Sequence, residues 1–113
     1  MTESVPILRV ASVERAVEWL SRVDYAQEWV HRFESGGPAF MSVARAGESR
    51  LFLSEHADDG APGSLVYVIV EDIDAIADNL GEPVVEQDWA REVRVADPDG
   101  NRFRFGTPKS PSA

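Results

Sequence analysis

Few side chains in this sequence have the types and spacing that catalysis needs. The chain of 113 residues has no cysteine and only two histidines, His31 and His56. Without cysteine there is no disulfide, no thiolate metal site and no cysteine nucleophile. No serine lies at an interpretable spacing from a histidine, and a lone carboxylate does not define an acid–base pair. Histidines in polar stretches are typical of solvated surface residues, so the residue types alone identify no catalytic centre.

Arginines and aromatic residues are concentrated in one stretch, which is either a plain surface hairpin or one wall of a site. The stretch WAREVRVADPDGNRFRF, Trp89 to Phe105, alternates charged with apolar residues on both sides of an Asp-Pro-Asp-Gly-Asn turn. Successive side chains of a strand point to opposite faces. We therefore expect Phe103 and Phe105 in the core, and Arg102 and Arg104 on the other face of the same strand.

The bulk composition limits the partners. The net charge is −9, from 20 acidic and 11 basic residues. A field of this sign repels nucleic acid and anionic lipid and attracts cations. The length suits one domain. The longest strongly apolar run, Leu65 to Val70, is too short to span a bilayer, and no secretory signal pattern is visible. We expect a cytoplasmic protein.

The chain contains an internal repeat. VPILRVASVERAVEWL, from Val5 to Leu20, matches LVYVIVEDIDAIADNL, from Leu65 to Leu80, at an offset of 60 residues. Gln27 to Trp29 matches Gln87 to Trp89 at the same offset, which makes Trp29 and Trp89 repeat mates. Ser49 to Ser54 resembles Asn101 to Gly106 at an offset of 52. Self-similarity of this kind predicts a duplicated structural unit.

Each copy reads as one strand, one helix and three strands. Ser12 and Asp72 are N-cap types at matching places, and an apolar stripe with i, i+3, i+4, i+7 spacing follows each. Gly81 and Pro83 end the second helix. The three strands are predicted near 26–33, 39–45 and 50–54 in the first copy, and near 84–87, 91–96 and 102–105 in the second.

These elements predict an α+β fold of two βαβββ modules, with both helices on one side of a curved mixed sheet. One domain covers residues 1–107. Its first repeat spans 4–54, a polar linker spans 55–64, and its second repeat spans 65–107. The tail 108–113 is predicted to be disordered.

The repeat and two motifs resemble the vicinal oxygen chelate superfamily of glyoxalases, dioxygenases and bleomycin-resistance proteins. The motifs are DPDGN, Asp97 to Asn101, and VASVERAVEWL, Val10 to Leu20, and the resemblance covers about residues 4 to 107. It implies the glyoxalase/bleomycin-resistance fold, with the helices on the convex side of the sheet. It also implies a homodimer in which two chains share each groove. Pro6 is predicted inside the first strand, where it could hinge an exchanged N-terminal strand.

The resemblance assigns the metal-ligand positions of the superfamily's enzymes to Val5, Phe52, Leu65 and Arg104. Three of these side chains are apolar, and the fourth is a fixed cation without a lone pair. Neither histidine matches a ligand position. We therefore expect no metal, no other cofactor and no catalytic residue, which disfavours enzyme activity without deciding it.

Among metal-free branches the resemblance is to bleomycin-resistance proteins, which sequester an antibiotic without modifying it. Their aromatic groove residues correspond to Trp29, Phe40 and Trp89. The same face is predicted to carry Phe52, Tyr67, Arg102 and Arg104, which completes the predicted ligand-binding set. Acidic residues beside the tryptophans favour a cationic, aromatic-bearing ligand, whereas Arg102 and Arg104 favour an anionic or carbonyl-bearing one.

Two alternatives stay open from the sequence. The chain could be an enzyme of the superfamily with an atypical metal site, acting as a lyase or an oxidoreductase. It could instead be a dimer whose cleft is filled by side chains and binds nothing small. Trp29 and Trp89 would then cap the core or form the dimer interface.

Overall fold

The structure of the chain, a computed structural model, describes residues 2–61 and 63–109. It contains eight strands, two α-helices and one short 3₁₀ turn. In chain order they are β1 Ile7–Arg9, α1 Val13–Leu20, the 3₁₀ turn Ser21–Val23, β2 Tyr25–Arg32, β3 Ala39–Arg45, β4 Ser49–Ser54, β5 Leu65–Ile69, α2 Ile73–Leu80, β6 Val85–Glu86, β7 Ala90–Ala96 and β8 Arg102–Pro108. The predicted α+β class and the two βαβββ modules are confirmed.

The strands form two sheets rather than one. The first sheet has the order β1-β4-β3-β2 and the second has the order β5-β8-β7-β6. In each, the first strand of the module runs parallel to the last, and the other pairs are antiparallel. Among the described residues no strand ladder joins the two sheets, so each module builds its own sheet.

The strand registers support the duplication. Ile7 is the partner of Phe52 in the first sheet, and Tyr67 is the partner of Arg104 in the second. These pairs are related by the same offsets, 60 and 52 residues, that the sequence repeat shows.

Local signals determine where the helices begin and end. The Ser12 hydroxyl accepts a hydrogen bond from the Arg15 backbone N–H at 3.2 Å, and Asp72 Oδ1 accepts one from the Ala75 N–H at 3.1 Å. Both are N-caps that satisfy a free N–H of the first turn. Gly81 ends α2 with φ of 66°, a left-handed conformation that glycine adopts without steric cost.

The core lies on the helix side of both sheets. Leu51 and Leu53 of β4 are 1% exposed, and Phe103 and Phe105 of β8 are equally buried. This confirms the prediction of which side chains in β4 and β8 point into the core. The two modules share one core, because the Trp19 ring on α1 lies 5.5 Å from the Phe103 ring of the second sheet.

Both chain ends differ from the prediction. Pro6 precedes β1 instead of lying inside it, and its carbonyl accepts a hydrogen bond from Phe52 N–H at 2.9 Å. The β1 strand is at a sheet edge and pairs with β4 of its own chain. At the other end, β8 continues to Pro108, and Lys109 N–H donates to the Trp89 carbonyl at 2.8 Å. Residues 110–113 of the predicted tail lie outside the described residues.

Each sheet has one face directed away from the helices, which we call its open face. The first open face carries Ile7, Trp29, Phe40, Ser42, Arg50 and Phe52. The second carries Leu65, Tyr67, Ile69, Glu92, Arg94, Arg102 and Arg104. These two faces hold the predicted ligand-binding residues.

Candidate functional site

An aromatic cluster occupies the first open face. The Trp29 ring stacks on Phe40 at a centroid distance of 6.1 Å and lies 5.5 Å from Phe52, and Phe40 and Phe52 are 5.3 Å apart. The three residues come from adjacent strands, β2, β3 and β4. Trp29 remains 45% exposed. Phe40 and Phe52 are partly buried beside it. A cluster of three rings with one half-exposed member is suited to stacking against a flat apolar molecule.

A β-bulge places a carboxylate beside this cluster. The register of β2 against β3 shifts between Gln27 and Trp29, so Glu28 is the extra residue. Glu28 Oε1 accepts hydrogen bonds from Ser42 Oγ at 2.8 Å and from Arg50 Nε at 2.9 Å. Hydrogen bonding to Arg50, and then to Ser42, lowers the pKa of Glu28. The carboxylate is therefore already neutralised by Arg50.

The two histidines lie together near the edge of the first sheet. Phe33 contacts His31 edge-on at 4.5 Å and His56 edge-on at 4.6 Å. The prediction that both are solvated is wrong for His56, because its Nε2 is buried and has no hydrogen-bond partner among the described residues. The tertiary contact with Phe33 covers it.

The second open face carries an aromatic pair over a buried carboxylate. Tyr67 and Trp89 stack at 5.6 Å. Glu92 is fully buried, and its Oε1 accepts a hydrogen bond from Arg94 at 3.1 Å. Burial, followed by the influence of the Glu92 carboxylate, raises the pKa of Tyr67 to about 12. Tyr67 is therefore a neutral phenol at physiological pH.

Three arginines lie side by side on the second open face. Arg94 of β7 is the direct partner of Arg104 on β8, and Arg102 is the partner of Ala96 one step along the same face. Together with Leu65 they line a pocket of about 320 Å³. The sequence reasoning missed Arg94. Its alternation with Glu92 and Ala96 places it on this face, but only the strand register shows that it opposes Arg104.

The predicted ligand-binding residues fall into two groups on different faces. Trp29, Phe40 and Phe52 lie together on the first open face. Tyr67, Trp89, Arg102 and Arg104 belong to the second. Within one chain the structure does not bring the two groups together.

The prediction that Trp29 and Trp89 are repeat mates is wrong. Trp29 lies within β2, opposite Ser42. Trp89 lies between β6 and β7, outside any strand. The β6 strand has only two residues, so the second module has no strand position that corresponds to Trp29. Trp89 reaches its open face by stacking on Tyr67 instead.

The residues present do not fit the metal site of the superfamily's enzymes. Val5 and Phe52 belong to the first module, and Leu65 and Arg104 to the second. None of these side chains can donate a lone pair to a metal ion. Within residues 2–61 and 63–109 there is no group of three or more histidine, aspartate or glutamate side chains arranged to hold one.

The fold and its two faces define a class of protein, a duplicated βαβββ domain with one open sheet face per module. The sequence matches the family described as glyoxalase superfamily protein over residues 1–111. The chain belongs to this family, which confirms the resemblance found in its motifs. No curated protein matches the sequence.

Solved structures share the fold at low sequence identity. The bleomycin-binding protein in complex with bleomycin is 15% identical, with a TM-score of 0.67 over 96% of this chain and 100% of that one. TnmS3, an antibiotic binding protein from Streptomyces sp. CB03234, is 21% identical, with a TM-score of 0.73 over 96% and 98%. A glyoxylase/bleomycin resistance protein/dioxygenase domain from Frankia sp. EAN1pec is 17% identical, with a TM-score of 0.77 over 96% and 98%.

No helix in the described part of the chain is both long enough and apolar enough to cross a membrane.

Proposed function

We propose that this protein binds an antibiotic-like small molecule and sequesters it without modifying it. The observation that carries this proposal is the aromatic cluster of Trp29, Phe40 and Phe52 on the first open face, in which Trp29 is half-exposed and the two phenylalanines are partly exposed. Buried aromatic clusters stabilise a core, but one that faces solvent on an open sheet is available for stacking. Two of the structural neighbours named above are antibiotic-binding by their own descriptions, which supports the same reading.

We propose further that the ligand binds between two chains of a homodimer in the cytoplasm. Both open faces expose large apolar side chains, among them Ile7 at 48%, Leu65 at 47% and Ile69 at 70%. Monomeric proteins seldom leave such patches uncovered. If the first open face of one chain meets the second open face of its partner, the two groups of predicted residues enclose one cleft.

The side-chain chemistry supports binding without turnover. The positions that correspond to enzyme metal ligands hold Val5, Phe52, Leu65 and Arg104, which do not fit a metal. Two hydroxyls on the first open face donate to carboxylates: Ser42 donates to Glu28, which Arg50 already neutralises, and Ser54 donates to Asp59 at 2.7 Å but is fully buried. We therefore expect the ligand to be recovered unchanged.

The test is a calorimetric titration with bleomycin, a mitomycin and other natural products, followed by mass spectrometry of the recovered ligand. We expect one of them to bind and to be released unaltered, and Trp29→Ala and Trp89→Ala to weaken binding. Val30→Ala is the matched control, because Val30 is 46% exposed but pairs with Met41 on the helix side of the sheet. A flat titration across the panel, or a chemically altered product, would contradict the proposal.

A further inference from the structure

We propose that the second open face receives an anionic group of the ligand, a carboxylate or a comparable oxyanion, through Arg94, Arg102 and Arg104. This inference rests on the proposed function and deepens it, because it assigns a charge to one part of the ligand. It departs from the cationic ligand that the overall acidity of the sequence favoured.

The strand register places the three arginines at neighbouring positions on one face. Arg94 and Arg104 are direct cross-strand partners, and Arg102 lies two residues from Arg104 on the same face. Side chains directly opposite in an antiparallel pair have Cβ atoms about 4.5–5.5 Å apart. The pocket of about 320 Å³ that they line is large enough for a carboxylate with a ring attached.

Two of the three arginines, Arg102 and Arg104, carry charges that no ion pair with a described residue offsets. The chain has 20 acidic residues, yet neither Arg102 nor Arg104 forms an ion pair within residues 2–61 and 63–109. Like charges directly opposite one another destabilise a sheet. Arg94 pairs with Glu92, which offsets one of the three positive charges. A net positive cluster therefore stays on the face of an acidic protein.

The first module shows that the architecture does not require arginine at these positions. The pair that corresponds to Arg94 and Arg104, at an offset of 52 residues, is Ser42 and Phe52. The same strands and the same register therefore form with a hydroxyl and an aromatic ring. The difference between the modules concerns what each open face presents, not how each sheet folds.

The third arginine shows the same contrast. Arg50 corresponds to Arg102 by the same offset, and it is neutralised by Glu28 at 2.9 Å and by Glu3 at 3.1 Å. Arg102 is exposed and has no such partner among the described residues. At this pair of corresponding positions, the arginine of the first open face is neutralised and that of the second is not.

The chemistry of these groups identifies the ligand class. A guanidinium presents a planar fork of N–H donors that matches both oxygens of a carboxylate or phosphate. Tyr67, which neighbours Arg104, stacks on the half-exposed Trp89, and Leu65 borders the pocket. The group that fits is an anion carried by an aromatic or apolar scaffold.

The experiment compares two probes that share a ring and differ in charge, naphthoate and its neutral amide, naphthamide. Both are titrated into the isotope-labelled wild-type protein while the arginine side-chain N–H signals are followed by nuclear magnetic resonance. We expect naphthoate to shift the signals of Arg94, Arg102 and Arg104 and to bind at least about tenfold more tightly than naphthamide. The comparison needs no variant, so it does not depend on a mutant's folding.

Variants then assign the effect to the cluster. Arg104→Gln and Arg102→Gln should remove the preference for naphthoate, and Arg104→Lys should retain part of it, because lysine keeps the charge but loses the fork. Arg15→Gln on α1 is the matched control, since Arg15 is exposed outside both faces and its loss changes the net charge equally. It should leave the preference intact.

Equal affinity of the wild type for naphthoate and naphthamide would overturn the inference. It would also be overturned if Arg15→Gln lost the preference for naphthoate as fully as Arg104→Gln. It would also be overturned if naphthoate failed to bind and Arg104→Gln changed the oligomeric state, because acidic groups of a second copy would then occupy the arginines. Antibiotic binding without a carboxylate preference removes this inference and leaves the proposed function standing. A preference for naphthoate without antibiotic binding contradicts the proposed function and leaves the anion site standing.

Discussion

At the scale of single residues, Gly106 makes room for the Tyr67 side chain over β8. A Cβ added at Gly106 would overlap the Tyr67 hydroxyl and ring. Beside this contact Glu92 is fully buried, and its Oε2 has no hydrogen-bond partner among the described residues. A buried carboxylate oxygen without a partner is costly, and the Tyr67 hydroxyl is likewise buried without a hydrogen-bond partner among the described residues.

Gly106→Ala is expected to lower the free energy of unfolding by about 1–3 kcal/mol, the usual cost of overpacking. The reason is the contact with Tyr67, so the cost should largely disappear when Tyr67 is already alanine. A double-mutant cycle measured by chemical denaturation checks this coupling. Additive effects of the two substitutions would show that the crowding at Gly106 has another origin.

The Glu28–Arg50 pair predicts a pH dependence. Arg50 and Ser42 lower the pKa of Glu28 below its ordinary value of 4.5. A carboxyl whose pKa is lower in the folded chain stabilises the fold above its unfolded pKa, and this stabilisation is lost as the pH falls through the folded pKa. Below about pH 4.5 the wild type should therefore lose stability more steeply than Glu28→Gln.

The measurement is the free energy of unfolding from about pH 7 to about pH 3 for both proteins. Glu18→Gln serves as the control, because Glu18 is exposed on α1 and makes no ion pair with a described residue. Its profile should follow the wild type. Identical slopes for Glu28→Gln and the wild type would mean that the pair does not persist in solution.

At the scale of elements, the turn from Asp97 to Asn101 joins the two modules as well as β7 and β8. The fully buried Asn101 donates from Nδ2 to the Arg9 carbonyl at 3.0 Å and accepts from Ser64 N–H at 3.2 Å. Asp99 Oδ1 accepts from Ala11 N–H at 3.0 Å. Asp97 holds the turn itself, and burial raises the pKa of its carboxyl.

Asn101→Ala is expected to lower the free energy of unfolding by about 1–3 kcal/mol, because it leaves part-buried backbone groups at Arg9 and Ser64 without their side-chain partner. Chemical denaturation measures the loss. Asn79→Ala is the matched control, since Asn79 is exposed on α2 and should change stability by less than about 0.5 kcal/mol. A similar small change for Asn101→Ala would rule out the turn as a link between modules.

At the scale of the whole molecule, the two modules share a core on their helix sides and leave both open faces uncovered. The chain measures 54 × 34 × 23 Å, an elongated shape for its length. A folded chain of this size normally buries most of its large apolar side chains in one compact core. The proposed dimer, in which a second copy covers the open faces, would account for the shape and for the exposed residues together.

Ile69→Asp is expected to shift the protein from the proposed dimer to a monomer, because it places a charge on the most exposed large apolar residue of the second open face. Light scattering coupled to size exclusion measures the mass. Ala75→Asp on α2 adds the same charge at an exposed position outside both faces and should remain dimeric. A wild type that is monomeric at all concentrations would contradict the dimer itself.

The sequence by itself determined the features that arise within a few residues of the chain. Ser12 and Asp72 cap the helices because their side chains reach the backbone three residues on. Alternation in β8 assigns Phe103 to the core and Arg104 to the opposite face, because the side-chain period of a strand is two. The identity of the residues at the metal positions is likewise visible without a structure.

Only the tertiary structure decided which distant residues meet. The bulge at Glu28, the opposition of Arg94 to Arg104 and the bond from Asn101 to Arg9 all depend on strand register and on contacts between modules. Register is set by competition among whole strands rather than by any local signal. Alternation in the sequence was therefore enough to predict that Arg102 and Arg104 share the open face. That Arg94 joins them, and that it lies opposite Arg104, followed from the pairing of β7 with β8.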